Sequence, residues 1–195
     1  ERAASWREAL RKSKPNKDRI NISRTEMNEL TPDYRITCNE EVNQGLTREQ
    51  ALIEASRCLD CPDPLCITGC PVGINIPKFI KNIERGEILE AAKTLKETSA
   101  LPAVCGRVCP QEKQCESKCI HLKMKEKPVA IGYLERFAAD YERESGQISV
   151  PEIKEKNGIK IAVIGSGPAG LSFAGDMIKK GYSVTVFEAL HEIGG

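Results

Sequence analysis

The chain has 195 residues, enough for one substantial core or two small ones, and its 29 Lys and Arg are balanced by 28 Asp and Glu. That balance gives no global basic field for nucleic acid, and 5% aromatics leave few platforms for stacked bases. No apolar run approaches the ~18 residues of a membrane span and no secretory leader is recognisable, so neither a membrane nor nucleic acid is an expected partner.

Nine cysteines would fit a disulfide scaffold in a small secreted domain, but the odd count leaves one over. Metal-bound thiolates in a reducing, cytoplasmic setting are expected instead. Glu1 is not an initiator Met, and Gly194-Gly195 stops as a nucleotide-binding pattern begins, so a piece of a longer protein is expected.

Residues 1–39 show little periodicity, and the first 25 carry eight Lys or Arg against three acids. They read as a basic linker or extension, solvated or forming a short surface helix, with Trp6, Leu10 and Ile20 as possible anchors. Cys38 stands alone and reads as an incidental thiol. Thr47-Arg-Glu-Gln50 has the form of a capping box, and Ala51, Leu52, Ala55 and Leu59 mark the apolar face of the helix that follows.

The first cysteine run is Cys58-x2-Cys61-x4-Cys66-x3-Cys70-Pro71. Asn75 or Ile76 then marks a helix start, with Pro77 in the first turn, Phe79, Ile80 and Ile83 on one face and Gly86 as the stop. A second helix carries Ile88, Leu89, Ala92 and Leu95 up to about Thr98. The second run is Cys105-x3-Cys109-Pro110-x4-Cys115-x3-Cys119. After Pro128 a third helical pattern carries Ile131, Leu134, Phe137, Ala138 and Tyr141. The expected helical domain covers 40–145, and 146–158 read as a linker.

From 159 the pattern changes to strand, turn and helix. Lys160–Ile164 is an apolar strand run, Gly165-Ser-Gly167-Pro168-Ala169-Gly170 opens a helix ending near Gly181, and Tyr182–Phe187 is a second strand closed by Glu188. The acid 23 residues beyond the first glycine makes this a dinucleotide-binding signature. Gly165 makes the turn, Gly167 admits a pyrophosphate and Gly170 allows close helix–strand packing. Glu188 accepts from ribose hydroxyls and repels a 2′-phosphate. Spacing alone does not separate FAD from NAD.

Zinc modules favour paired C-x2-C knuckles, and only Cys58 and Cys61 have that spacing. A C-x2-C run closed by Cys-Pro points to iron–sulfur clusters, in which the fourth cysteine of a run serves the other cluster. On that rule Cys58, Cys61 and Cys66 hold one cluster, Cys70 crosses to a second, and the second run completes both. A non-catalytic module stapled by zinc is the rival of a different class. The two histidines, His121 and His191, read as surface residues, although His121 stands close enough to Cys119 to influence a cluster.

Arg57-Cys58-Leu-Asp-Cys61, Gly69-Cys70-Pro-Val-Gly-Ile74, Ile76-Pro-Lys-Phe-Ile80, Leu101–Gln111 and Pro128–Phe137 together resemble the small (β) subunit of glutamate synthase. The N-terminal regions of dihydropyrimidine dehydrogenase and of NADH-dependent ferredoxin:NADP oxidoreductases are similar. The resemblance covers about residues 40–195 and implies a mainly α domain with two [4Fe-4S] clusters, followed by the first βαβ of a Rossmann FAD-binding domain, with Gly195 also at the flavin site. It implies Cys58, Cys61, Cys66 and Cys119 for the first cluster, and Cys70, Cys109, Cys115 and Glu135 for the second. Pattern alone makes Glu135 a solvated helix residue, and Cys105 competes with it as a thiolate. The implied activity is that of an NADPH-dependent glutamate synthase-type oxidoreductase whose NADPH domain is missing from this chain, leaving it inactive by itself. The implied partner is a glutamate synthase large subunit, another electron-acceptor subunit of a ferredoxin- or pyrimidine-reducing enzyme, or ferredoxin, and a homo-oligomer is possible.

Overall fold

The computed structural model describes residues 2–195, which form two compact units: residues 2–98 with 102–147, and residues 99–101 with 148–195. Among the described residues no helix is long and apolar enough to cross a membrane.

The first unit is helical. It runs α1 (Ser5–Ser13), α2 (Asn16–Ile20), β1 (Asn28–Glu29), α3 (Pro32–Arg35), β2 (Asn43–Gly45), α4 (Arg48–Ser56), α5 (Leu65–Thr68), α6 (Ile76–Glu84), α7 (Ile88–Lys96), α8 (Pro102–Val108) and α9 (Ile131–Ser145). Short 3-10 turns at Glu116–Lys118 and Ile120–Met124 lie between α8 and α9. The capping box forms as its sequence specifies: Thr47 accepts from the Gln50 N–H at 3.2 Å, and the Gln50 side chain accepts from the Thr47 N–H at 2.8 Å. Asn75 caps α6 and Gly86, at φ +85°, ends it.

Ala51 and Ala55 of α4, Phe79, Ile80 and Ile83 of α6, Ile88, Ala91 and Leu95 of α7, and Leu134 and Ala138 of α9 form one core. Cys58, Cys66, Cys70 and Cys119 lie against it. The antiparallel β1–β2 pair, absent from the sequence reading, sets Asn28 opposite Gly45, and α8 likewise had no periodic signal.

The basic arm folds onto this unit. Arg7 and Arg19 are 3% and 1% exposed, where charge counting placed them in solvent. Arg19 pairs with Glu84 at 2.7 Å and donates to the Ser56 carbonyl at 2.6 Å. Asp60 receives both Arg7 and Arg11.

Glu54 and Arg57, both buried, hold the framework together. One Glu54 oxygen accepts from Arg57 at 2.7 Å and from the Ala130 N–H at 2.8 Å; the other accepts from the Thr25 N–H at 2.7 Å. Arg57 donates to the carbonyls of Ile22, Lys127 and Pro128 at 2.9, 2.6 and 3.0 Å. Removing one member of such a pair strands a buried charge. The Glu54→Ala variant is expected to lose about 3–5 kcal/mol of stability, measured by denaturant unfolding.

The second unit pairs β3 (Lys160–Ile164) in parallel with β4 (Ser183–Phe187), joined through α10 (Pro168–Lys179). Val163 and Ala174 are its buried apolar contacts.

Candidate metal centres and nucleotide loop

The end of α4, α5 and the turn into Ile120 bring Cys58, Cys61, Cys66 and Cys119 to the wall of one cavity of about 280 Å³. Leu59, Ile76, Ile80, Val129 and Ile131 make the rest of that wall largely apolar. Burial pushes the Cys58 thiol up to about 11, against the pull of the Lys81 ammonium and an N–H from Asp60. Burial raises Cys61 and Cys66 as well, and for Cys66 the neighbouring Cys58, Cys119 and Cys61 add to the rise. Cysteines gathered so closely in an apolar wall are costly as thiolates until a cation neutralises them.

His121 lines the same cavity and is fully buried, contrary to its reading as a surface histidine. Its Nε2 lies 3.1 Å from the Arg57 carbonyl and its Nδ1 has no partner. Burial holds it below the usual histidine value. Only the fold could reveal this, because the partner carbonyl lies 64 residues earlier. His191 is exposed.

A second group forms where α8 crosses α9. A methyl group at Gly106 would stand 2.6 Å from the Arg136 backbone nitrogen, so glycine is what allows the two helices to approach. The approach sets Cys109 beside Glu135, with Cys105 next to Cys109. Gly69 plays the same part at the crossing of the two cysteine runs: a Cβ there would meet the Gln114 carbonyl at 2.7 Å and the Cys115 Cα at 3.0 Å. The Cys109 thiol is raised to about 11 by burial, then by Cys105, Glu135 and Cys70. Cys115 is raised to about 12 by burial and by the Glu116 carboxylate, with Cys70 and Glu135 contributing. Cys70, Cys105, Cys109, Cys115 and Glu135 therefore share one neighbourhood.

Glu135 is 6% exposed rather than solvated, and its Oε1 has no hydrogen-bond partner. Burial alone raises its carboxyl to about 7. An orphaned carboxylate oxygen among thiols is a donor set that a soft cationic cluster would satisfy. The first cavity likewise has room for a multi-atom group, where zinc–sulfur bonds near 2.3 Å would draw four thiolates together around one ion. Among the described residues no three Cys, His, Asp or Glu side chains converge tightly enough for a single ion, and no cysteine is in a disulfide. Cys38 belongs to neither group.

In the second unit Gly165, at φ +92°, turns from β3 towards α10, and a Cβ at Gly170 would stand 2.1 Å from the Gly165 carbonyl oxygen. Pro168 and Ala169 occupy the first turn of α10, whose free N–H groups form an anion cradle. Ser166 donates its N–H (2.8 Å) and its hydroxyl (2.6 Å) to one Glu188 oxygen, and the Leu190 N–H donates to the other at 2.9 Å. These bonds, the Ser166 hydroxyl first, hold the Glu188 carboxyl at about 2. The Gly194 N–H reaches the Ser166 hydroxyl at 3.2 Å, and Gly195 lies against Gly167. Ser166, fully buried, is the residue that sequence reasoning passed over. It stands at a variable position of the glycine pattern.

Residues 35–147 match the family model described as dihydropyrimidine dehydrogenase domain II, 4Fe-4S cluster. The chain belongs to that family. The matched stretch spans both cysteine runs and the helix that carries Glu135. Residues 163–195 match an NAD(P)-binding Rossmann-like domain. The NAD-dependent dihydropyrimidine dehydrogenase subunit PreT of Escherichia coli K12 is 41% identical over 157 residues, which is 80% of this chain and 37% of that protein. The glutamate synthase [NADPH] small chain of the same strain is 40% identical over 155 residues (80% and 33%). Its counterpart in Azospirillum brasilense is 34% identical over 155 residues (80% and 32%). The chain spans about a third of the length of these curated relatives.

The Glu135 carboxyl gives a pH test on metal-free protein. A carboxyl whose value rises on folding leaves the folded chain holding a proton that the unfolded chain has lost. Stability therefore falls as pH climbs from about 4.5 to about 7 and stays lower above that. Glu135→Gln is expected to gain little at pH 4.5 and on the order of 3 kcal/mol at pH 8, read from denaturant midpoints of the metal-free proteins.

Proposed function

We propose that the chain is the N-terminal part of an NAD(P)H-dependent flavin and iron–sulfur oxidoreductase of the glutamate synthase small-subunit type. It would pass electrons from NADPH, by way of FAD and two [4Fe-4S] clusters, to an acceptor subunit. The observation that carries this reading is the pair of cysteine groups on one helical scaffold, one of them around a cavity of about 280 Å³. An oxidoreductase parent accords with the relatives and with the family, and nine cysteines outside any disulfide support a cytoplasmic setting for it.

Cys58, Cys61, Cys66 and Cys119 would hold the first cluster; Cys70, Cys109, Cys115 and Glu135 would hold the second. The orphaned Oε1 supports Glu135 over Cys105 as the fourth ligand. When bound, the flavin converts the two electrons of a hydride into single electrons and the clusters relay them. The chain's own residues bind and insulate these groups. The apolar wall of Leu59, Ile80, Val129 and Ile131 excludes water from the first site, and the buried faces of α8 and α9 enclose the second. In the second unit the α10 N-terminus and Gly167 would receive the pyrophosphate, while Glu188, oriented by Ser166, would take the ribose hydroxyls.

The near-equal identities to a dihydropyrimidine dehydrogenase subunit (41%) and to a glutamate synthase small chain (40%) support a second acceptor, the pyrimidine-reducing partner of such an enzyme, beside a glutamate synthase large subunit or ferredoxin. Both readings use the same ligands.

Anaerobic preparations are expected to carry about eight irons and about eight sulfides per chain. Cys66→Ser and Cys115→Ser should each remove about half of the iron. Glu135→Gln should alter the spectrum of one cluster, and Cys105→Ser should leave both intact. Colourless protein with two zinc ions per chain, the stapled-module alternative, would overturn the assignment.

A further inference from the structure

The basic arm makes one set of contacts that the relay itself does not call for. Asp60 stands between two proposed ligands, Cys58 and Cys61, and its carboxylate is completely buried. Its backbone sits at φ +51°, a left-handed conformation that Asp and Asn tolerate better than most residues. One carboxylate oxygen takes the Arg7 guanidinium and the other takes Arg11. Arg2 donates to the Asp60 carbonyl at 2.9 Å, and Arg11 also donates to the Arg2 carbonyl at 3.1 Å. On the other side the buried Lys81 ammonium donates to the Cys58 carbonyl and to Glu84, which in turn pairs with Arg19 of the arm.

The Cys58–Cys61 turn is thus held between three arginines of the arm and one lysine of α6, with Asp60 and Glu84 as the opposing charges. The sulfurs lie within reach of these charges. The Asp60 carboxylate and the Lys81 ammonium act in opposite senses on the Cys58 thiol, and Asp60 and Arg2 do so on Cys61. Net charge and hydrogen bonds around a cluster are among the determinants of its reduction potential.

We propose that Arg7 and Arg11 of the N-terminal arm, clasping Asp60, act as positioning residues that raise the reduction potential of the cluster held by Cys58, Cys61, Cys66 and Cys119. The inference rests on the ligand assignment given above. With both arginines in place the turn carries a surplus of positive charge, which favours the more negative, reduced cluster. Removing a guanidinium leaves the Asp60 charge less compensated and lowers the potential. Neutralising Asp60 leaves the guanidinium charges unopposed and raises it. A purely structural clasp would give shifts of one sign, or loss of iron, in both cases.

The test uses anaerobically purified protein, with reduction followed by electron paramagnetic resonance. The cluster concerned is the one whose signal Cys66→Ser removes. Asp60→Asn, which keeps the left-handed backbone accessible, should move its one-electron equilibrium about tenfold towards reduction, or about 59 mV upward. Arg7→Met should move it about tenfold the other way, and the more exposed Arg11→Met serves if Arg7→Met fails to fold. The second cluster should move less than threefold in every variant. Trp6 is the only tryptophan, and the Arg85 guanidinium lies 4.0 Å from its ring centre, so its emission reports whether the arm is docked.

Shifts of the same sign in the Asp and Arg variants, or shifts under threefold with native Trp6 emission and full iron, would overturn the tuning role. So would loss of iron from all three variants. A parent protein without clusters would instead overturn the ligand assignment, and this inference with it. Iron analysis of the unsubstituted protein separates the two failures.

Discussion

The helical unit depends on a buried ion pair. Glu54 and Arg57 sit one turn apart at the end of α4, immediately before Cys58, and their hydrogen bonds reach three other segments: Ile22 and Thr25 after the arm, Lys127 to Ala130 before α9, and, through the Arg57 carbonyl, His121. The Lys127–Ala130 segment leads into α9, which carries Glu135, and His121 lines the first cavity. Buried ion pairs add little net stability against apolar substitutes, yet they fix geometry strongly, because any misplacement leaves a charge without a partner. Here the geometry concerned is the angle at which the first cysteine run leaves its helix and at which α9 enters the core.

What that framework holds is itself unfavourable without a ligand. Thiols in both groups are pushed up by burial and by one another, and burial raises the Glu135 carboxyl to about 7 and leaves one of its oxygens without a partner among the described residues. Thiolate and carboxylate ligands must lose their protons to bind metal, so binding at such a group would couple to proton release and relieve it. Close backbone contacts bring the segments that carry these groups together. Gly69 lets one cysteine run cross the other, and Gly106 lets α8 lie on α9.

Much of this was legible in the sequence, for reasons that differ from residue to residue. The Thr47–Gln50 capping box, the Asn75 cap and the Gly165–Gly170 turn are local devices whose partners lie a few residues away, so a sequence window contains the whole interaction. The cysteine spacings carried the metal chemistry in the same way. Arg7, Arg19 and His121 were misread as surface groups because their partners Asp60, Glu84 and the Arg57 carbonyl lie 53, 65 and 64 residues away. Charge counting sees a basic arm; the fold pairs four of its arginines, Arg7, Arg11, Arg19 and Arg24, with acids whose side chains are largely buried. Helix α8 was missed because the interior Gly106 weakens helical propensity, and its packing on α9 outweighs that weakness.

The two cysteine runs look alike in sequence, yet their surroundings differ in sign. Around Cys58 and Cys61 the nearest ionic groups include Lys81, Arg2, Arg7 and Arg11, with Asp60 enclosed among them. Around Cys109 and Cys115 the charged neighbours are carboxylates, Glu135 and Glu116, and the Glu116 side chain also accepts from the Gly132 N–H at 3.3 Å and from Arg24 at 2.7 Å. Identical clusters placed in these two settings would not be equivalent, since surrounding charge enters directly into cluster potential. Within the arm, Arg2 acts on Cys61 directly and Arg7 and Arg11 compensate Asp60. Electrostatic asymmetry between the sites is therefore a property of the helical unit with its arm in place, and the cysteine spacing alone does not specify it.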